Sequence, residues 1–271
     1  MQTIESPESL QAEMLRLRSG GQRIGFVPTM GFLHEGHLSL MRLARAQCDH
    51  LVVSIYVNPL QFGPNEDLDR YPRDPEGDAA KCMSMGVDTL FLPETLYADG
   101  HSTTVSVSGL TAGLCGASRP GHFDGVTTVV ARLFGLVQPH AAIFGEKDYQ
   151  QLAVIRRMVR DLCLPVEIIG GELVRDEDGL ALSSRNKFLD TESRARALSL
   201  RRTLLTMRDH PSREVSARLS AGRGVLEVDK VDYLEIVHPD TLTPLHEIDG
   251  PARALVAAWI GNTRLIDNLE L

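Results

Sequence analysis

Short β-branched segments alternate with helix-period segments from Arg23 to Ile169, and the polar clusters fall just after the strand-like runs. Beyond Arg175 the chain becomes Arg-rich and helical, then closes on alternating apolar runs. These observations predict an α/β protein. A Rossmann-like doubly wound parallel sheet should be followed by a smaller C-terminal α+β domain.

The elements follow in order. Arg23 to Val27 (RIGFV) reads as a buried strand running into the turn Pro28-Thr29-Met30-Gly31, then into a helix with Leu38, Met41, Leu43 and Ala44 on its apolar side. Leu51 to Val57 (LVVSIYV) is a strongly β-branched strand. The stretch after it, NPLQFGPNEDLDRYPRD, has too much Pro, Asn and Asp for regular structure. Helix Ala79–Met85, strand Thr89–Leu92, helix Val126–Val137, strand Ala141–Phe144, helix Leu152–Leu162 and strand Val166–Ile169 complete the alternation. Connections of this kind are right-handed crossovers in a parallel sheet. The turn Asp176 to Gly179 (DEDG) marks the boundary, giving domains 1–175 and 176–271. Glu192 to Leu226 is largely helical, and Val231–Val237 and Ala252–Ile260 alternate like strands of a half-exposed antiparallel sheet.

Composition sets bounds on function. At 271 residues, 43% hydrophobic and 24% charged, the chain can bury one large or two modest cores. A net charge of -8 argues against a general nucleic-acid binder, though a local cluster of donors can still hold an anion. The first residues include acids and no apolar leader segment, and no run of about 18 apolar residues suggests a membrane span, so a cytoplasmic protein is expected. Cys48, Cys82, Cys115 and Cys163 form no CxxC pair, so buried free thiols in a reducing compartment are expected rather than disulfides or a zinc site.

Four clusters carry chemistry. His34-Glu35-Gly36-His37 stands at a helix start, where N–H groups and the helix dipole favour an anion, and Gly31 and Gly36 leave room for a phosphate chain. Imidazoles there would stabilise charge developing on an attacked phosphorus, and the alternative is two surface or capping histidines. A zinc site is weakly supported, because no third ligand is close in sequence. Leu182-Ser183-Ser184-Arg185 offers two hydroxyls and a guanidinium fork for triphosphate oxygens, although such a run is common in loops. Gly145-Glu146-Lys147-Asp148, with Gln151 beyond, follows a buried strand, where open α/β sheets bind ligands. Asn58 and Gln61 follow another strand and could bind hydroxyls or a carboxylate, or simply form a turn.

Five ordered blocks carry a resemblance: PTMGFLHEGHLSL (Pro28 to Leu40), YVNPLQFGPNEDLDRYPRD (Tyr56 to Asp74), RPGHFDGVTTVV (Arg119 to Val130), FGEKDYQQL (Phe144 to Leu152) and VRDEDGLALSSRNKFL (Val174 to Leu189). Together they resemble the pantothenate synthetase (pantoate–β-alanine ligase) family, within the HxGH adenylyl-transferase superfamily. The resemblance implies that pantoate and ATP form pantoyl adenylate and pyrophosphate, and that β-alanine then displaces AMP. It implies ATP and Mg²⁺ as requirements, pantoate and β-alanine as substrates, no nucleic acid or membrane partner, and a homodimer through the first domain. By position, His37 matches the family's general acid, and His34, Lys147 and Arg185 join it as catalytic groups. Pro28, Thr29, Met30, Gly31, Phe32, Leu33, His34, Glu35, Gly36 and His37 would line the ATP site. So would Gly145, Glu146, Lys147, Asp148, Val174, Leu182, Ser183, Ser184 and Arg185. Gln61 and Gln151 match the residues that grip pantoate, Gln61 also lying near β-alanine, with Asn58 in the same pocket. Leu182 replaces the family's usual Met, a swap of similar volume. Asp67, Asp69 and Asp74 are candidates for holding Mg²⁺ through water, with no choice among them from sequence.

Three other readings compete. A nucleotidyltransferase acting on a phosphate-bearing substrate would share the HxGH turn, but the Gln-bearing blocks suit a neutral polyol acid better. A tRNA-charging enzyme is disfavoured by the acidic charge and the lack of room for an anticodon-binding domain. A non-catalytic nucleotide sensor could dispense with both imidazoles and Lys147, all of which are present.

Overall fold

The computed structural model describes residues 1–64 and 66–271. Its first unit holds a six-stranded, all-parallel sheet in the order β1-β4-β3-β2-β5-β6. The strands are β1 (Gln2–Ile4), β2 (Ile24–Thr29), β3 (His50–Ile55), β4 (Thr89–Phe91), β5 (Ala141–Gly145) and β6 (Glu167–Gly171). The helices between them are α1 (Pro7–Ser19), α2 (Glu35–Arg45), α3 (Pro75–Ser84), α4 (Leu114–Ser118), α5 (His122–Val137) and α6 (Tyr149–Asp161). Strand order reverses at β2, which pairs with β3 on one side and β5 on the other, so a crevice is expected there beyond the strands' C-terminal ends.

The near-continuous apolar runs of these strands have a direct cause: both faces of the sheet are covered. Phe26, Val52, Ala142 and Phe144 pack with residues of α1, α5 and α6. Val27, Leu51, Val53 and Ile143 pack on the other face with residues of α2 and α3. The ladder from β2 to β5 ends at Phe26, two residues before Pro28, which has no N–H to extend one. β2 and β3 stay paired through Thr29 and Ile55. The sheet therefore splits on the β5 side, where the polar clusters stand.

The second unit packs α7 (Thr191–Asp209) and α8 (Val215–Arg223) on an antiparallel meander of β7 (Lys230–Val237), β8 (Arg253–Ile260) and β9 (Thr263–Glu270). Leu200, Leu204 and Met207 from α7 meet Leu234, Ile236, Ala254 and Val256 in a separate core. Several sequence expectations need correction here. β8 is not half exposed: seven of its eight residues are buried, because Leu255 on its other face joins the first unit's core. β1, α1, α4 and β9 have no counterpart in the sequence reading, and α3 and α5 each begin four residues earlier than expected. The turn Asp176–Gly179 is the tip of a small hairpin, closed by the Arg175–Ala181 bridge and tied to α7 by Arg194, which pairs with Asp176 at 2.6 Å and Asp178 at 2.8 Å. Arg175 forks onto buried Asp267 of β9 at 2.8 Å through both nitrogens. Breaking one side of such a buried pair costs about 3–5 kcal/mol, so this turn is tethered to the second unit. All four thiols are free, but only Cys82 and Cys115 are buried, while Cys163 is exposed and Cys48 half-buried.

Candidate active site

The turn after β2 is held by contacts within the protein. Gly31 takes φ +82, Phe32 takes φ +50, and the N–H groups of Phe32 and Leu33 both donate to the buried carboxylate of Asp78 on α3, each at 2.7 Å. A Cβ on Gly31 would stand 2.9 Å from Ile55 and 3.0 Å from Asp78, so packing as well as backbone conformation fixes the glycine. Sequence reasoning misses Asp78, because the partners of its carboxylate lie more than forty residues away along the chain.

α2 starts with a capping box made of imidazoles. His34 is its N-cap: His34 Nδ1 accepts from Gly36 N–H, and His37 Nδ1 accepts from His34 N–H, each at 3.2 Å. Backbone N–H groups can only donate, so both rings must be Nδ1 acceptors with their proton on Nε2. The rings lie 4.1 Å apart. Burial, with Lys147 adding to it, pushes the pKa of His34 down to about 4. Burial, with His34 and Lys147 beside it, pushes that of His37 down to about 3. Both are neutral imidazoles that present an N–H beyond the helix start. The capping reading and the phosphate-donor reading are therefore the same arrangement. Gly36 makes room for the His34 ring, since a Cβ there would lie 3.0 Å from it.

Gln61 lies on the far side of the same cavity, in a single helical turn (Pro59–Gln61) after β3. Asn58 Nδ2 donates to Gln61 Oε1 at 3.1 Å and to Gly125 carbonyl oxygen at 3.0 Å. Asn58 Oδ1 accepts from the Tyr97 hydroxyl at 2.8 Å. Asn58 is thus engaged at both ends and orients Gln61, whose amide nitrogen donates to Met30 Sδ at 3.1 Å. α5 locks the turn. A Cβ on Gly125 would fall 2.3 Å from the Leu60 carbonyl, and His122 Nδ1–H donates to the Gln61 carbonyl at 2.8 Å. His122 Nε2 faces Arg119 at 3.0 Å, and burial, then that guanidinium, holds its pKa at about 4. Arg119 in turn forks onto Glu66 at 2.6 and 2.7 Å. Arg119 and His122 stand in one of the five blocks without an assigned role; the run Arg-Pro-Gly-His before a helix start is the signal for them.

The second unit completes the enclosure. Ser184 Oγ donates to the Phe32 carbonyl at 3.3 Å, tying the Ser-Ser-Arg loop to the turn after β2. Arg185 forks onto Asp67 at 2.7 and 2.9 Å and lies 5.7 Å from the Tyr71 ring. A cavity of about 230 Å³ results. Met30, His34, His37, Gln61, Lys147, Asp148, Gln151, Ser184 and Arg185 all line it, with Pro28, Thr29, Gly36, Gly145, Val174, Leu182, Ser183 and Asn58 also in its wall. Of the residues expected there, Gly31, Phe32, Leu33, Glu35 and Glu146 do not line it. Leu33 is core, and Glu35 is exposed and paired with Arg42. A larger chamber of about 420 Å³ between the two units shares Lys147, Asp148, Gln151, Arg119, His122 and Arg185 with it. Among the described residues no three His, Cys, Asp or Glu side chains gather as a metal cage. Asp67 is taken by Arg185, Asp74 caps α3 through Gly77 N–H, and Asp69 is exposed.

Comparison with known proteins gives the same direction at every level. The family model described as pantoate-beta-alanine ligase matches residues 2–270. Pantothenate synthetase of Thermus thermophilus is 54% identical over 280 residues, spanning 100% of this chain and 99% of its own, and that of Maridesulfovibrio salexigens is 50% identical over 99% of each chain. The crystal structure of the Thermus thermophilus enzyme superposes with a TM-score of 0.94 at 53% identity, covering 100% of this chain and 99% of that one. A pantoate-beta-alanine ligase from Francisella tularensis, solved with an ATP ligand and β-alanine, gives a TM-score of 0.83 at 33% identity, over 100% and 97% of the two chains. The chain belongs to the pantoate–β-alanine ligase family.

Proposed function

We propose that this protein condenses pantoate with β-alanine at the expense of ATP through the cavity between β2, β5 and the second unit. The pantoate carboxylate attacks the α-phosphorus, and the bond to the β,γ-diphosphate breaks, releasing pyrophosphate and leaving pantoyl adenylate. The β-alanine amine then attacks the acyl carbon and expels AMP. The carrying observation is the convergence of His34, His37, Lys147, Ser184 and Arg185 on the one cavity that also holds Gln61 and Gln151.

Charge determines the roles. His34 and His37 donate Nε2–H to phosphate oxygens as neutral groups, and Lys147 and Arg185 neutralise the charge that grows as pyrophosphate leaves. The Gln61 amide, its oxygen held by Asn58 and its nitrogen on the weak acceptor Met30 Sδ, binds a hydroxyl or the carboxylate of pantoate, with Gln151 lining the same cavity. Val126, Val129 and Leu133 supply an apolar wall suited to the geminal methyls of pantoate. No nucleophile is needed, so catalysis rests on positioning and charge stabilisation. Mg²⁺ is read as entering on ATP, where it offsets phosphate charge, since Asp67 and Asp74 already have protein partners.

Residues 1–175 and 176–271 are read as a substrate-binding body and a lid. The anchoring of Arg175 by Asp267 puts the proposed hinge upstream of that pair, at 172–174. The enzyme is read as a cytosolic homodimer joined through the first unit. Free thiols support the compartment, the family resemblance supports the dimer, and light scattering of the purified protein tests it. The deciding experiment is pantoate-dependent exchange of labelled pyrophosphate into ATP without β-alanine. Exchange that runs equally well without pantoate, or not at all with it, sinks the adenylate route.

A further inference from the structure

Lys147 stands on a short turn after β5, residues Glu146–Asp148, which no side-chain cap of its own holds. The hold comes from the last strand of the second unit. Asn268 on β9 is 4% exposed, and its amide nitrogen donates to the carbonyls of both Glu146, at 2.9 Å, and Lys147, at 3.1 Å. The amide cannot flip. Its Oδ1 accepts from Arg253 Nη1 at 2.7 Å, and Arg253 has no acceptor to offer in exchange. Arg253 is itself wedged, its guanidinium carbon 3.9 Å from the Tyr149 ring centre and Nη1 3.7 Å from Glu146. The strand is fixed at the adjacent residue by the Arg175–Asp267 fork, whose Asp267 Oδ1 also accepts from Asn268 N–H at 2.7 Å. One buried amide therefore spans two consecutive carbonyls of the turn that presents Lys147 to the cavity.

We infer that Asn268 is a positioning residue for adenylate formation: by clasping the Glu146 and Lys147 carbonyls it sets the backbone from which Lys147 reaches the phosphates. This rests on the reading of Lys147 as a phosphate-neutralising group. The clasp also makes the aim of Lys147 depend on where the second unit stands, because both hydrogens of the amide must follow β9. Asn268 touches no reacting atom in this account and acts only through the turn.

The test is a double-mutant cycle on pantoate-dependent pyrophosphate exchange, with K147M as the second site. N268D keeps the size and the Arg253 contact but faces two carbonyls with an acceptor. N268S is too short to span both. Each should lower the exchange rate at saturating substrates about tenfold, with the KM for pantoate within about twofold of wild type. In the K147M background the same changes should cost less than about twofold, because the group they position is gone. Equal losses in both backgrounds, or full exchange by N268D and N268S, overturn the inference. So does loss of a cooperative melting transition in both variants, which makes Asn268 a determinant of folding instead. K147M retaining wild-type exchange refutes the reading of Lys147 itself, and is seen separately in the single mutant.

Discussion

Changing the pH across the imidazole range tests whether His34 and His37 act as neutral donors. The backbone has chosen the tautomer of each ring, since both Nδ1 atoms accept from N–H groups at the start of α2. A second proton on either ring would set N–H against N–H and remove a cap worth roughly 1 kcal/mol. Burial works in the same direction, placing His37 at about 3 and His34 at about 4. The donor population of the free enzyme should then be constant from about pH 5.5 to 8.5. An imidazolium acid with an ordinary pKa of about 6.5 behaves differently: at pH 8.5 it is only about 1% protonated, a loss of about 100-fold. The assay is kcat/KM for pyrophosphate exchange at fixed ionic strength, which reports groups of the free enzyme. Wild type should be level across that window. His37→Ala should fall by about 10²–10³-fold at every pH, the usual cost of removing one preorganised donor. A descending limb near pH 6.5 in wild type that disappears in His37→Ala would refute the neutral-donor argument and restore a proton-transferring histidine.

Other outcomes follow from the same geometry. Gln61→Ala and Gln151→Ala should each raise the KM for pantoate much more than that for ATP, and equal increases would argue against direct contact. His34, His37 and His122 all hold their proton less tightly folded than unfolded, so the unfolded chain takes up protons first as pH falls. Their contribution to stability is complete above about pH 6.5 and is lost towards pH 4, and a melting temperature that rises over that descent would contradict it. Gly125→Ala drives a methyl to 2.3 Å from the Leu60 carbonyl; a loss of about 1–3 kcal/mol together with a raised pantoate KM is expected, and an unchanged melting curve would show that α5 does not clamp the turn. The Pro and Gly of the stretch 63–74 suggest a segment that becomes ordered only with ligand. Its residue 65 lies outside the described residues, and Glu66 and Asp67 fasten it to Arg119 and Arg185. Asp67→Asn should hasten proteolysis there, with protection returning on adding ATP and pantoate, and identical digestion of both proteins would count against the latch.

Most of the first unit is legible in the sequence, because doubly covered strands leave continuous apolar runs such as Leu51–Val57 and their helices carry a 3.6-residue period. Where reading fails, the cause is tertiary. β8 looks half exposed because alternation cannot reveal that a second face packs on another unit, and β9, with Arg264, Asp267 and Asn268 breaking its apolar run, gives no strand pattern. The site shows the same division. His34, His37, Lys147 and Ser184 can be named from local context, since each follows a strand or opens a helix. Asp78 and Asn268 cannot, since each acts on backbone groups far away in sequence and carries no local signature. Asn58 is legible as a substrate ligand or a turn residue, but its hold on Gln61 is not, because an amide's partner cannot be read from its position.

The arginines show how such a site can exist before its substrate arrives. Arg119 and Arg185 are largely withdrawn from water, and an uncompensated guanidinium in that setting would cost several kcal/mol. Glu66 and Asp67 supply that compensation with forked carboxylate contacts, the same two-oxygen geometry a phosphate presents. On the proposed function, a triphosphate reaching Arg185 would exchange one forked anion for another instead of desolvating a bare cation. The carboxylate it displaces sits at Asp67, on a Pro- and Gly-punctuated segment whose described residues form no helix or strand, where release to water is cheap. On that reading the Asp67 contact would ease phosphate entry and couple it to movement of the segment between Gln61 and α3. The Gln61 amide proposed to hold pantoate and the Arg185 guanidinium proposed to meet the triphosphate would then respond to the same event.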